Sequence, residues 1–483
     1  MDVLRLASLL DELPPERTRL LDNLGRVRRE VGPITPELSD ALADRMNLRH
    51  GDVHEVVSFY SFLQVPIDTM RVCTGPVCDC AGSRSLLTEG AIEVPCLGHC
   101  DLAPVVLHGD NVVGGVTHST NGFLLEPDDI RAPAALTPEE VLERLQASGL
   151  TGMGGAGFPT WRKWDAVRSE PGPRVVIVNA DEGEPGTIKD RYVMELRPQL
   201  MLEGLVAAMR FCETDQAYIY LREEYGTART RLLEAISARG VPVELVVGAG
   251  AYICGEETAM LESMEGRRGM PRLKPPFPSQ SGYLGRPTLI NNVETLAHAA
   301  LILRGGWQPA RLWSVTGAVA KPGCYEAPLD VTLQTLIDDY AGGLTAEPSA
   351  IVPGGAASGV LPPAALDVPL TREALAEWGC GVGSAGVQVF PSSYSPLRLL
   401  AETLRFFAEE SCQKCTPCRI GNRALHHVCE ELEHGRTPMP RHQVDEWLEA
   451  MAVTSICGLG QGAPIPVRST FAHWPELFEK MPA

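Results

Sequence analysis

At 483 residues the chain is long enough for three or more domains with their own cores, so neither disulfides nor metals are needed merely to keep it folded. Its 61 acidic against 42 basic residues leave a formal charge of −19, and no run of clustered Lys and Arg forms a nucleic-acid stripe, which excludes nucleic acid as a partner. No apolar run approaches the roughly 18 residues that span a bilayer, and the opening MDVLRLASLLDELPPERTR is an acidic amphipathic pattern rather than a signal peptide. A cytoplasmic protein without membrane insertion is expected.

In chain order, residues 1 to 65 read as short helices: LASLLDEL, RTRLLDNLGRVRREVG, TPELSDALADRM opened by Thr35 or Pro36, and DVHEVVSFYSFL. Short strands and one helix follow to about 130, and EPDDIRAPAALTPEE reads as a proline- and acid-rich linker. From 137 to 310 helices and strands alternate, with RVVIVNADEGEPG and VPVELVVGAG as buried strands of an α/β core. SVTGAVAKPGCYEAPLDVT predicts two strands around a Lys-Pro-Gly turn, and LQTLIDDYAGGL a helix, as in a small β-grasp (ubiquitin-like) unit over 311–396. The remainder, 397–483, is helical. The predicted fold is therefore multidomain α/β, with boundaries at 1–130, 137–310, 311–396 and 397–483.

Fourteen cysteines would suggest disulfides outside the cell, but eight of them sort into two quartets, which fits a reducing compartment. Cys412, Cys415 and Cys418 in SCQKCTPCRIG place three thiolates on one tight loop, and Cys457 in TSICGLGQG supplies a remote fourth, the spacing of a 4Fe-4S site. Zinc competes, but structural zinc sites usually draw ligands as two separated pairs. Cys73, Cys78, Cys96 and Cys100 form C-x4-C followed by C-x3-C, which suits a 2Fe-2S cluster between two loops. Cys80 and His99 could replace a neighbour as ligand, although facing away from the metal is the simpler reading.

The middle region carries further chemistry. Gly152, Gly154 and Gly157 in GLTGMGGAGFPTWRKW satisfy G-x-G-x-x-G, with Gly155 between them, yet the run follows a helix rather than a strand, so the dinucleotide fingerprint lacks its usual context. Glycines still let backbone N–H groups approach a phosphate, and Lys163 can offset its charge; a plain flexible turn is the competing reading. Asp181, Glu182 and Glu184 after a buried strand, and Glu256 and Glu257 beside a glycine, suit hydrogen bonds to ribityl or ribose hydroxyls or to an amide. For some of them helix capping and solvation suffice.

GMGGAGFPTWRKW, NADEGEPGTIKDR, GAGAYICGEETAMLESMEGRRGMPRLKPPFP, INNVET and SCQKCTPCRIG together resemble the NADH-binding flavoprotein subunit of respiratory complex I and its relatives in NAD-dependent formate dehydrogenases and NAD-reducing hydrogenases. That resemblance runs from about 137 to the C-terminus. Residues before 130, with VVSFYSFLQVP and the first quartet, resemble the thioredoxin-like two-iron subunit of the same enzymes, so the chain looks like a fusion of the two. The resemblance implies a Rossmann-like FMN/NADH domain and a C-terminal helical bundle around the 4Fe-4S site. FMN is implied at the glycine loop, Lys163, Asn179, Asp181, Glu182, Tyr252, Gly255, Glu256, Asn291, Asn292 and Thr295. NAD(H) is implied above the flavin, with Phe158 and Phe277 toward the adenine and Glu184, Glu257 and Lys274 on the dinucleotide. Glu184 and Glu257 would position the nicotinamide without acting as acid or base. For the two phenylalanines, core packing is the reading without the flanking motifs.

Three departures from the family pattern stand out. Thr151 and Met153 occupy places where relatives carry arginines, so less positive charge faces the phosphates. Ala166 replaces an aromatic, a loss of about 1 kcal/mol of stacking. The interval from Cys78 to Cys96 is shorter than in relatives and predicts a lost hairpin beside the two-iron cluster. No molybdenum, nickel or quinone motif is present, so a catalytic iron–sulfur subunit on another chain is the implied partner. The fused arrangement favours a formate dehydrogenase over a hydrogenase or complex I. A nucleotide-dead iron–sulfur docking module and a stand-alone diaphorase are the alternative readings.

Overall fold

The computed structural model describes residues 3–115 and 119–482. Several of the helices open on side-chain caps. Thr35 accepts from the Leu38 amide to open Pro36–Met46, and Thr137 with Glu140 forms a capping box that opens Pro138–Ser148.

The first quartet lies beside a four-stranded sheet of β1 (Arg71–Cys73), β2 (Ile92–Val94), β3 (Val106–His108) and β4 (Asn111–Val113), ordered β2-β1-β3-β4, with Cys73 at the end of β1, Cys78 in the short helix Pro76–Cys80, and Cys96 and Cys100 after β2. Phe62, Cys73, Cys78, Val94, Leu97 and Leu107 are among the residues that form its own small core. β5 (Ser119–Thr120) departs from the expected first domain: it pairs in parallel with a strand of the β-grasp unit, and Asn121 and Phe123 are hydrogen-bonded to Glu326 there.

The α/β region is a parallel sheet of β6 (Val175–Ala180), β7 (Ala217–Leu221), β8 (Val243–Val247) and β9 (Thr288–Asn292), ordered β8-β7-β6-β9. Val175 to Val178 are wholly buried, as expected of a parallel strand covered on both faces. Strand order reverses between β6 and β9, so a crevice opens at their carboxyl ends, the position where such sheets bind ligands. The register sets Asn179 opposite Asn292 at that crevice.

The β-grasp unit comprises β10 (Ala310–Gly317), β11 (Gly323–Pro328), β12 (Pro348–Val352) and β13 (Gly386–Pro391), with order β12-β13-β10-β11-β5 and a core of its own. The expected helix after β11 is a single turn, Leu333–Thr335, continued as a π-helical turn to Tyr340. C-terminal helices Pro396–Glu410, Thr416–Glu433, Arg441–Thr454 and Pro464–His473 share one apolar core with the α/β sheet and the N-terminal helices. Among the described residues no helix is long and apolar enough to cross a membrane.

Candidate flavin, nucleotide and iron–sulfur sites

The glycine loop is closed at its base by Gly152 N–H to Phe158 O at 2.8 Å and Thr160 N–H to Leu150 O at 3.0 Å. Gly155 and Gly157 take φ of +110° and +64°, values that favour glycine. The loop lies against the end of β9: a Cβ on Gly154 would stand 3.4 Å from Asn292 Cβ, and the Met153 amide donates to Thr295 Oγ1 at 2.9 Å. Asn292 Oδ1 in turn accepts from the Thr295 amide at 3.3 Å and caps Val293–Arg304.

Across the crevice, Asn179 donates to Gly255 O at 2.8 Å, which ties the end of β6 to the Tyr252–Gly255 turn. Asp181 is the distinctive group. Its Oδ2 is buried with no hydrogen-bond partner among the described residues, and burial pushes its carboxyl up to about 8. An orphaned acceptor of this kind fits the hydroxyl donors of a ribityl chain. Glu184 accepts from Tyr252 Oη and from the Ala357 amide, so the β-grasp unit reaches into the crevice, and burial raises its carboxyl.

Glu256 and Glu257 form the opposite wall. Glu256 caps Glu257–Met264 by accepting from the Thr258 and Ala259 amides, both at 2.9 Å. Lys274 donates to Glu256 at 3.0 Å and to Glu257 at 2.8 Å, and Lys163 donates to Glu257 at 3.4 Å and to Ile290 O at 3.2 Å. Against its burial, these two ammonium groups hold the Glu257 carboxyl below its ordinary range. Phe158 and Phe277 are about half exposed at 49% and 51%, unlike core aromatics, so their rings remain accessible for stacking.

Two expected contacts are otherwise engaged. Glu182 accepts from the Asp190 and Arg191 amides and from Tyr225 Oη at 3.0 Å, which fixes the helix Lys189–Leu196. Asn291 Oδ1 accepts from Trp164 Nε1 at 2.9 Å behind the crevice. The β-grasp loops Gly354–Ser358 and Gly381–Ser384 were not anticipated. A Cβ on Gly355 would stand 2.7 Å from Glu184 Cγ, and Ser384 Oγ lies 2.6 Å from Thr187 Oγ1. The Pro-Gly-Gly run at 353–355 is the one sequence signal that such a close approach was coming.

All four thiols of the first quartet are buried. Cys73, Cys78, Cys96 and Cys100 lie within electrostatic reach of one another. Amide donors reach the sulfurs, from Gly98 to Cys96 at 3.4 Å and from Gly186 of the α/β region to Cys100 at 3.3 Å. Cys80 stands apart beside Asp79, and the His99 ring packs edge-on against Tyr225 with centroids 5.6 Å apart. The second quartet is built on helix starts. Cys415 precedes Thr416–Glu433, Cys418 lies in its first turn, and Cys457 precedes Gly458–Gly462. Cys418 accepts from Asn422 Nδ2 at 3.4 Å and lies 3.3 Å from Ser411 Oγ, within electrostatic reach of Cys412, Cys415 and Cys457. Among the described residues no three donors converge on a single-ion position. Two sets of four thiols fit clusters, in which terminal thiolates are distributed over several irons.

The quartets and the crevice meet at one cavity of about 370 Å³, lined by Asp181, Gly183, Tyr252, Phe406, Cys96 and Cys412 among others. Such convergence defines an iron–sulfur flavoprotein. The profile of the Nuo51 FMN-binding domain matches residues 145–300, that of the NADH-ubiquinone oxidoreductase-F iron-sulfur binding region 398–481, that of the thioredoxin-like 2Fe-2S ferredoxin 6–92, and that of the SLBB domain 313–360. The F 2 subunit of NADH-quinone oxidoreductase in Rhizobium meliloti (strain 1021) is 40% identical over 374 residues, covering 71% of this chain and 89% of that protein. The corresponding F subunit in Aquifex aeolicus (strain VF5) is 38% identical over 372 residues, covering 71% and 86%. A chain of an air-oxidised NAD+-reducing NiFe-hydrogenase crystal structure superposes with a TM-score of 0.85 at 31% identity, covering 97% of this chain and 94% of that one. The chain belongs to the family of NADH-quinone oxidoreductase F subunits, with FMN, 4Fe-4S and 2Fe-2S cofactors and NADH dehydrogenase (diaphorase) activity.

Proposed function

We propose that the chain is the NAD-reactive subunit of a larger redox complex, in which electrons pass between a dinucleotide and a catalytic centre on another chain. The observation that carries this reading is the shared cavity, where Asp181, Gly183 and Tyr252 of the flavin crevice meet Cys96 of one quartet and Cys412 of the other. When bound, FMN would supply the conversion between two-electron chemistry at the dinucleotide and one-electron transfer to the iron–sulfur clusters.

The chain's own residues do the positioning. Backbone amides of the glycine loop would receive the flavin phosphate and Asp181 would accept from the ribityl hydroxyls, while Asn179 holds the Tyr252–Gly255 turn in place. Glu184, clamped by Tyr252 and Ala357, and Glu257, clamped by Lys163 and Lys274, present fixed carboxylates to the nicotinamide amide. Phe158 and Phe277 offer faces to the adenine, and the β-grasp loops over Glu184 exclude water. No side chain transfers a proton in the step itself.

For the partner, a hydrogenase module is favoured by the end-to-end likeness to the NAD+-reducing NiFe-hydrogenase chain, which includes the fused N-terminal region. The formate dehydrogenase expectation rests on the fused architecture alone, and no feature of the crevice distinguishes formate from hydrogen.

An anaerobic NADH titration of the purified chain, followed by flavin bleaching and low-temperature electron paramagnetic resonance, tests the core reading. Bleaching with at least one reduced-cluster signal is expected; reduction by dithionite but not by NADH would replace it with the docking-module reading. Isolating the native complex through this chain and assaying NAD+ reduction with hydrogen and with formate assigns the partner.

A further inference from the structure

The two lysines of this wall, Lys163 expected at the flavin and Lys274 at the dinucleotide, are neutralised within the protein. Lys163 and Lys274 pair with Glu256 and Glu257, so this wall carries no net positive charge toward a phosphate. Thr151 brings no charge, and Met153 is buried with its amide bonded to Thr295. A dinucleotide is a phosphate anion, and its recognition calls for a cation or free amides.

The missing cation comes from another domain. Arg372 is the first residue of the helix Arg372–Glu377 in the β-grasp unit, set by the Thr371 cap on the Ala374 amide. Its Nη2 lies 2.7 Å from the place a Cβ on Gly157 would take, so the guanidinium rests directly on the glycine loop where the lack of a side chain admits it. The residue is exposed, and among the described residues no carboxylate pairs with it. Gly157 immediately precedes Phe158, whose half-exposed ring is the proposed adenine platform. The neighbouring β-grasp loop follows the same surface, with Gly383 3.8 Å from a Cβ on Gly155.

We propose that Arg372 is a phosphate-binding residue for the dinucleotide, supplying from the β-grasp domain the charge that the glycine loop lacks. It rests on the reading that NADH is the substrate of this crevice. A planar guanidinium has five N–H donors for a phosphate, and here it stands at Gly157, next to Phe158 of the proposed base platform. The group bound is the pyrophosphate, which every nicotinamide dinucleotide carries, or a 2′-phosphate; kinetics with NADH and NADPH separate the two.

The test is steady-state NADH and NADPH oxidation with an artificial acceptor by the intact chain, its flavin and clusters in place. Arg372→Gln is expected to raise KM for NADH about tenfold, the order of one charge-assisted hydrogen bond, with kcat at saturation unchanged. The wild-type KM should climb with ionic strength and that of the variant much less, while Arg372→Lys should recover part of the loss. A rise confined to NADPH would assign the 2′-phosphate. Unchanged KM for both dinucleotides overturns the proposal, as does a fall in kcat alone. Flavin content and dithionite-reduced cluster signals report whether each variant is folded. Failure of the wild-type chain to bleach with NADH would refute the substrate reading instead.

Discussion

Burial lifts the carboxyl of Asp181 to about 8 against an ordinary 3.8, with Arg222 opposing the shift only in part. Between those values the folded state keeps a proton that the unfolded state has lost, so this group's contribution to stability falls as pH rises through the window. A ribityl hydroxyl donating to Oδ2 favours the ionised form and lowers the folded value. Flavin affinity of the apoprotein should therefore climb toward pH 8 and level off above it. Asp181→Asn should flatten that dependence, read as flavin dissociation constants from about pH 6 to 9 in the two proteins. An equal slope in the variant would remove Asp181 from the flavin site. The sequence presents Asp181, Glu182, Glu184, Glu256 and Glu257 as alike. Glu182 and Glu256 are engaged by helix-start amides, Glu257 by two lysines and Glu184 by a loop from another domain, whereas Asp181 Oδ2 remains unpartnered. Glu182 meets the Asp190 and Arg191 amides only because the intervening loop folds back, which no local pattern records.

The Cys96–Cys100 loop is held from outside its own sheet. Arg222 Nη2 donates to Cys96 O at 3.0 Å, Tyr225 Oη to Gly98 O at 3.3 Å, and the Gly186 amide to Cys100 Sγ at 3.3 Å. Gly98 adopts φ +70°, and an added Cβ would lie 2.6 Å from Tyr225 Oη and 2.9 Å from Arg222 Nη1. Gly98→Ala should therefore push the loop off the α/β region. The expected result is a shifted or lost two-iron resonance and fewer irons per chain, with the four-iron resonance and flavin content retained. A two-iron signal identical to wild type would mean that the loop is set by its cysteines alone. At this scale the chain was readable where local chemistry decides: Thr35 followed by Pro36 predicts the start of the helix Pro36–Met46 that forms. It was unreadable for Ser119–Thr120, whose two residues are too short for an alternating pattern and acquire strand geometry only from β11.

Across the whole molecule, the first quartet's domain is fastened to the helix Pro396–Glu410 by charge. Asp79 accepts from Tyr394 Oη at 2.7 Å and pairs with Arg84 and Arg398, while Glu402 pairs with Arg84, Arg398 and Arg405. Arg405 also donates to Thr74 O at 2.8 Å and pairs with Glu93 at 3.0 Å. Burial pushes the Asp79 carboxyl up, but its hydrogen bonds from Tyr394, Arg398 and Arg84 outweigh that and leave it below 3.8. The stabilisation it gives is thus complete above the unfolded value, including neutral pH, and is lost as pH falls through the lower folded one. Both carboxylates are nearly buried, whereas Arg84 and Arg398 keep over a third of their side-chain surface in water. Removing one acid should therefore cost about 2 kcal/mol, less than the 3–5 kcal/mol of a fully buried pair. Asp79→Asn at neutral pH should accordingly raise amide hydrogen exchange roughly thirtyfold in Pro76–Cys80 and in the facing turns of Pro396–Glu410. Exchange in β6 of the flavin crevice should not change, because no member of this charge network lies on that strand, although Pro396–Glu410 shares an apolar core with it. Equal exchange in variant and wild type would assign the docking to apolar contacts. A rise that extends into β6 would mean that the cluster domain and the flavin crevice open as one cooperative unit.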